Sequence, residues 1–275
     1  MIPPIIHQMW LDKSTKTNVS VPSKYQSNVD QLRSLHSHWT YMFWNRDKVE
    51  KLFRTEPDLK PFRKTYQSMP HHIQKCDFAR YAILYCLGGI YMDLDFHCHK
   101  SLDRILQAHP SLLLVYEPQE HSSHDPVPRR LYNGFLGSSP RHRFWLEWMT
   151  YIQMSLTKTS DVMETTGPVN FARFMLQAPS HYRNPEHFAD TCDIIPIASI
   201  HDKIMMCAEC QHRDSQPFDP QTYHLRVGNY TDTYWNEGTH WSSDKPSSST
   251  SLWKWILFIL LIVVIILFIR NRNHH

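Results

Sequence analysis

The run "HHIQKCDFARYAILYCLGGIYMDLDFHCHK" (His71 to Lys100) changes periodicity at a pair of glycines. Pro70 stands just before it. From there to Leu87 the residues suit a helix that opens on proline and stops at Gly88-Gly89, the usual order of helix punctuation. Beyond the glycines, "GGIYMDLDF" alternates apolar and polar side chains and reads as a short strand. Strand alternation puts Tyr91, Asp93 and Asp95 on one face and leaves Ile90, Met92 and Leu94 to pack on the other. A helix feeding a strand that ends in two carboxylates belongs in an α/β sheet, where ligands bind beyond the carboxyl ends of strands.

The flanks continue the alternation of strand and helix. "PIIHQMWL" (Pro4 to Leu11) reads as a first buried strand, residues 22–36 as a helix, and "WTYMFW" (Trp39 to Trp44) as a second strand. Helices are expected over 46–53, 57–66, 142–156 and 168–177, and strands at "LLLVYE" (Leu112 to Glu117) and "YNGFLGS" (Tyr132 to Ser138). That order predicts an α/β, Rossmann-like domain with a mostly parallel sheet.

Composition removes some classes of function. The 275 residues suffice for one sizeable α/β domain. Twenty-nine basic against 26 acidic residues leave a formal charge of only +3, so no basic field favours nucleic acid. Glycine is scarce, at 7, and neither G-x-G-x-x-G nor G-x-x-x-x-G-K-[ST] occurs, so no glycine-rich phosphate loop carries the chemistry.

The carboxylates carry it instead. Two held close together repel unless a cation or a proton intervenes. Oxygen ligands favour Mg²⁺ or Mn²⁺, which in turn suit a diphosphate. D-x-D alone is a weak signal, and its bland reading is a solvated turn. In the helix upstream, Asp77 and Arg80 are three apart and share a helical face. In so apolar a helix this pair is expected to be partly buried, which is costly without a ligand or a firm partner.

Together these residues, with "IPPIIHQMW" (Ile2 to Trp10), closely resemble the D-x-D sugar-binding glycosyltransferase family. That family includes fungal initiating α-mannosyltransferases and mannosyl inositol phosphorylceramide synthases. The likeness is dense over residues 2–106 and continues thinly in "NGF", "RHRFW" and "TGPVNFARF". It implies a GT-A fold, a nucleotide-sugar donor, a divalent metal (Mn²⁺ or Mg²⁺) and retention of anomeric configuration. By the same resemblance Asp95 is a direct metal ligand and Asp93 reaches ribose or metal. Asp77 and Arg80 hold the donor sugar and its phosphates. Tyr91 and Asn133 contact the donor, and Trp10 lies near its base. The family's C-terminal His…Ser-Trp block is replaced here by "YHLRV" (His224) and "GTHWSSD" (His240, Trp241), with histidine where serine is usual. His224 and His240 are thus the candidates for the last metal or phosphate ligand, and Trp241 for a donor contact in a Trp-rich lid. The implied reaction moves a hexose, with mannose from GDP-mannose favoured, to a membrane-associated acceptor such as an inositol phosphorylceramide.

Other readings compete. A UDP-sugar transferred to a glycan or protein is the nearest, and a membrane-tethered binding protein with an inactive transferase fold is another. A metal phosphodiesterase would need more His and Asp ligands for a second metal. His97, Cys98 and His99 alternate across a strand, cannot all converge on one ion, and are expected to be supporting or surface residues. Cys207, Cys210 and His212, with Cys192, are compatible with structural zinc, a disulfide or free thiols. His7 suits a packed core better than a catalytic base, and Phe144, Trp145, Trp148 and Tyr151 are expected to be core.

The C-terminus adds a membrane signal. "LWKWILFILLIVVIILFI" (Leu252 to Ile269) carries one charge, Lys254. At ~1.5 Å per residue it spans about 27 Å, close to a bilayer's hydrocarbon core. The expected organisation is a catalytic domain over 1–241, a Ser-rich linker over 242–251, a transmembrane helix over 252–269 and a basic tail over 270–275. The N-terminus lacks the features of a signal peptide, which favours the cytosol. Arg270, Arg272 and the sequons at Asn18 and Asn229 favour the lumen of a Golgi-like compartment, the reading adopted here.

Overall fold

The computed structural model describes residues 1–12, 17–98, 100–108, 111–116, 126–128, 130–179, 182, 193–196, 224–227 and 231–234, with the backbone alone at 97, 108 and the last three segments. In chain order the elements are β1 (Ile5–Met9), α1 (Gln26–Leu35), β2 (Thr40–Trp44), α2 (Arg46–Thr55), α3 (Arg63–Ser68), α4 (His72–Leu87) and β3 (Gly89–Met92). There follow β4 (Phe96–Cys98), α5 (Asp103–Ala108), β5 (Leu112–Tyr116), β6 (Leu131–Ser138), α6 (Arg143–Ser155), α7 (Pro168–Gln177), β7 (Asp193–Pro196), β8 (His224–Val227) and β9 (Thr231–Tyr234).

Six strands form one sheet in the order β2-β1-β3-β6-β5-β7. β2, β1 and β3 pair in parallel, as do β5 and β7, while β6 runs antiparallel to both β3 and β5. The expected mostly parallel sheet is therefore present, with β6 as the one reversed strand among those described. Alternation along each strand feeds two cores. Tyr91, Leu112, Leu114 and Leu136 join α4, α6 and α7 on one face. Ile90, Met92, Leu113, Val115 and Phe135 meet Leu32 of α1 and Ile105 of α5 on the other. Strands buried on both faces need apolar residues at every position, which is why "LLLV" and "GIYM" lack a polar side. A smaller sheet, β4-β9-β8, stands beside the first.

Helix α4 is the centre of the molecule. Every residue from Asp77 to Cys86 is buried, so the helix is enclosed all round rather than along one stripe. Its end is fixed by Gly88 and Gly89, with φ of 65° and 91°. A Cβ on Gly88 would stand 2.6 Å from Pro140 N, and one on Gly89 2.6 Å from Ile5 O. Only glycine permits this handedness and this approach, and so α4 can turn directly into the central strand.

Three expectations need correction. The single helix over 57–66 is a 3-10 helix, Pro57–Phe62, followed by α3. Pro61 has no N–H to give to an α-helical ladder there. Helix α4 starts at His72 rather than at Pro70, because the His71 N–H donates to Gln74 Oε1 at 3.2 Å and closes the first turn one step later. Cys98 is fully buried, its thiol donating to Lys100 O at 3.2 Å, and is not a surface residue. Among the described residues no helix is long and apolar enough to cross a membrane. The expected span at 252–269, the linker before it and the 207–212 cysteine-histidine group lie outside the described residues.

Candidate active site

The side chains of Asp77 and Arg80, one helical turn apart on α4, are each only 5% exposed and meet at 3.2 Å. They are thus fully buried, beyond the partial burial expected from sequence. Such a pair is costly to desolvate unless the remaining valences are met. Asp77 Oδ1 also accepts from Asn133 Nδ2 at 3.0 Å, and Oδ2 from Thr166 Oγ1 at 2.8 Å. Burial nevertheless pushes the Asp77 carboxyl up to about 6, against the opposing pull of Arg80 and the two hydrogen bonds. Arg80 Nη1 donates to Asn133 O at 2.6 Å, and the guanidinium lies 4.9 Å from the centre of the Tyr91 ring. Its buried Nε finds no acceptor among the described residues.

Arg80 then reaches the carboxylate pair. Its Nη2 is 3.5 Å from Asp93 Oδ1, which also accepts from the Tyr91 hydroxyl at 2.8 Å. Burial holds that phenol well above its ordinary range, so it stays protonated and donates to the carboxylate. One guanidinium therefore spans the helix and the D-x-D segment. Side-chain exposure rises from 5% at Arg80 to 33% at Asp93, so the site opens on the Asp93 side.

The pair itself is not on a strand face. β3 ends at Met92, and Asp93 to Phe96 make a turn in which the Phe96 N–H donates to Asp93 O at 3.3 Å. The strand alternation expected for Asp93 and Asp95 fails because Leu94 leaves the sheet to pack with Tyr25 and Val29. The turn keeps both acids at the carboxyl end of the central strand, which is where an α/β sheet binds its ligands.

These residues fit a hard divalent cation. With Asp93 Oδ1 held by Tyr91 and Arg80, Oδ2 faces Gly134, where an added Cβ would stand 2.7 Å from it. The absent side chain lets the β6 backbone lie close beside that oxygen and the Tyr132 hydroxyl. Three carboxylates against one guanidinium leave the group net negative. Carboxylate oxygens suit Mg²⁺ or Mn²⁺. Among the described residues no group of three or more His, Cys, Asp or Glu is disposed to hold a metal, so two protein carboxylates would need ligands from elsewhere.

Comparison with known proteins finds relatives for the segment that holds most of these residues. Residues 22–112 match the family described as "glycosyltransferase sugar-binding region containing DXD motif". That segment is similar to DXD-type sugar-binding regions. The chain is 30% identical over 186 residues to inositol phosphoceramide mannosyltransferase 1 of Schizosaccharomyces pombe, a match covering 64% of this chain and 53% of that protein. It is 31% identical over 173 residues to a mannosyl phosphorylinositol ceramide synthase of Saccharomyces cerevisiae, covering 62% of this chain and 41% of the relative. The chain thus spans about half the length of these curated relatives. Among solved structures, PaToxG glycosyltransferase superposes with a TM-score of 0.47 at 12% identity, covering 65% of this chain and 71% of that one.

The matched segment brings together Asp77, Arg80, Tyr91 and Asp93, and β6, beyond its end, adds Asn133. Trp10 sits apart, partly buried against Tyr25 with ring centres 5.9 Å apart, and joins the turn only through Leu94 in a shared apolar cluster. His224 opens β8, which is separated from β4 by β9; its side chain, like His240 and Trp241, lies outside the described residues. His7 is a core residue. Its Nδ1 accepts from Trp44 Nε1 at 3.1 Å while Nε2–H donates to Gly88 O at 2.8 Å. Burial pulls it down to about 4, so it is neutral. Phe144, Trp145 and Trp148 are buried as expected, and Tyr151 packs against them half-exposed. Sequence reading missed Thr166 and Gly134. Each adjoins or lies within a family-like block, "TGPVNFARF" or "NGF", so a signal existed, but only proximity shows which carboxylate each one serves.

Proposed function

We propose that this chain is a metal-dependent, retaining glycosyltransferase of GT-A type that transfers a hexose, favoured as mannose from GDP-mannose, to a membrane-associated acceptor such as an inositol phosphorylceramide. One observation carries the reading: Arg80 bridges Asp77 of the buried helix to Asp93 of the D-x-D turn, so the compound motif is one site. The names of the relatives, both acting on inositol phosphoceramide, support the acceptor class.

Asp93 Oδ2 and Asp95 would hold the cation, which when bound neutralises charge on the departing nucleoside diphosphate. Arg80 adds a fixed positive charge already oriented by Asp77, Asp93 and Asn133 O, so no reorganisation is needed as charge develops on the leaving group. Asp77, fixed by Thr166 and Asn133, can accept from donor-sugar hydroxyls. Tyr91 holds Asp93 by Oδ1 and leaves Oδ2 beside Gly134. The burial of Asp77 and Arg80 excludes water, which would otherwise hydrolyse the donor.

The test is a donor screen on the full chain in detergent, with inositol phosphorylceramide as acceptor and Mn²⁺ present. Mannosyl transfer from GDP-mannose that stops in EDTA and returns with Mn²⁺ is expected. Transfer from a UDP-sugar instead would replace the donor assignment, and turnover undiminished by chelator would remove the metal from the reading.

A further inference from the structure

Gln8 is a fully buried polar residue in the middle of β1, and nothing in the chemistry above uses it. It stands between His7, itself buried and hydrogen-bonded, and Met9, which joins an apolar core. An amide enclosed without partners is costly, on the order of 1–3 kcal/mol for each unmet group. Both ends of this one are met. Nε2 donates to the backbone carbonyl of Asp93 at 3.1 Å, and Oε1 accepts from the Tyr41 hydroxyl of β2 at 3.1 Å. Burial holds that phenol above its ordinary range, so the Tyr41 hydroxyl stays a donor. It thereby orients the amide with its NH₂ toward the turn.

A second side chain reaches the next carbonyl. Asn28 of α1 donates through Nδ2 to Leu94 O at 3.2 Å. The Asp93 amide donates in turn to Gly134 O at 2.9 Å. Every peptide group from Asp93 to Leu94 is therefore held by another element: β1 with β2 behind it, α1, and β6. Both carbonyls point toward β1 and α1 rather than toward the open side of the site. Tyr91 and Arg80 fix the Asp93 side chain, but they fix only one oxygen; the backbone contacts set where the second oxygen and Asp95 lie.

We propose that Gln8, oriented by Tyr41 and seconded by Asn28, is a positioning residue that holds the D-x-D turn in the geometry in which its two carboxylates bind a divalent cation. The inference rests on the metal-dependent reading above. Gln8 touches neither the cation nor the donor. It fixes the peptide plane at Asp93 while Asn28 fixes the next one, so that binding does not have to order the turn first. The sequence places Gln8 in "IIHQMW", more than eighty positions before the turn it serves, and only the parallel pairing of β1 with β3 brings the two together.

The test measures Mn²⁺ binding to the full chain without donor, by the electron paramagnetic resonance signal of free Mn²⁺, in parallel with amide exchange of residues 93–96 in EDTA. Gln8→Leu and Asn28→Ala each remove one donor, and Tyr41→Phe removes the orienting hydroxyl while keeping the ring. Tyr41→Phe guards against a Gln8→Leu chain that fails to fold, and Tyr85→Phe, which loses a hydrogen bond to Asp58 on the far end of α4, serves as the control. Losing one hydrogen bond of this kind should weaken Mn²⁺ binding about three- to tenfold in Gln8→Leu and Tyr41→Phe, with faster exchange at 93–96 and no change in the control. Equal affinity in Tyr41→Phe and the parent, or equal weakening in the control, overturns the proposal and leaves the metal reading standing. A parent chain that binds no Mn²⁺ overturns both.

Discussion

Asp77 and His7 are buried ionisable residues whose protons respond to folding in opposite senses. The Asp77 carboxyl rises from 3.8 to about 6, chiefly through burial, so the folded chain holds this proton more tightly than the unfolded one. That preference stabilises the fold fully below pH 3.8 and fades as pH rises toward 6. His7 falls from 6.5 to about 4, again through burial, so its contribution is present above 6.5 and is lost as pH falls toward 4. His36, lowered by burial as well, acts in the same sense as His7. Between pH 4 and 6 the two residue types offset each other. Asp77→Asn removes one side of the balance. Its thermal midpoint should therefore fall more steeply on acidification from pH 6.5 to 4 than the parent's does. Parallel pH profiles for the two proteins would contradict this opposition of Asp77 and His7.

At the scale of elements, the helix–glycine–strand unit was legible because each signal in it is local: capping order, the Gly-Gly stop, and apolar runs long enough to be buried twice. α7 spans 168–177, as expected, because Pro168 at its first position is such a signal. The turn holding Asp93 and Asp95 was not legible, since "YMDLDF" satisfies strand alternation as well as it satisfies a turn. The choice was made by tertiary contacts, with Leu94 packing on α1 and Gly134 O receiving the Asp93 amide. Strands β8 and β9 were missed for a related reason: each is four residues long, and they pair with one another and, through β9, with β4 far upstream. Gly134 shows how finely β6 is fitted to the turn. An added Cβ would lie 2.5 Å from the Tyr132 hydroxyl and 2.7 Å from Asp93 Oδ2, whereas one at Gly137 would meet nothing nearer than Leu113 Cβ at 3.1 Å. Gly134→Ala should displace the carboxylate, and a shift approaching 1 Å in such a group costs on the order of a hundredfold in turnover. Gly137→Ala should cost stability, roughly 1–3 kcal/mol by overpacking, while sparing Mn²⁺ affinity. Kinetics and metal titration on the two variants separate the effects, and equal losses would make Gly134 a packing residue only.

For the whole molecule, the proposed transfer to a membrane-associated acceptor requires that donor and acceptor both reach the site from one side of a membrane. The first compact unit extends over residues 1–240, and the apolar run at 252–269 follows it in the sequence. A formal charge of only +3 gives no strong surface field to favour either leaflet. The sequon at Asn18 offers a physical handle. Asn18 and Ser20 are both exposed, and the Asn18 carbonyl oxygen accepts from Asn45 Nδ2 at 2.9 Å. Attachment of a glycan at the amide nitrogen keeps that carbonyl, so modification leaves this hydrogen bond and the capping of α2 by Asn45 intact. In a lumenal orientation the full chain expressed in eukaryotic cells should therefore carry a glycosidase-sensitive mass that Asn18→Gln reduces, with no loss of transferase turnover. The same domain should resist protease in sealed vesicles and become sensitive when detergent opens them. Cleavage in sealed vesicles, together with a mass indifferent to glycosidase, would place the site in the cytosol and reverse the orientation adopted here.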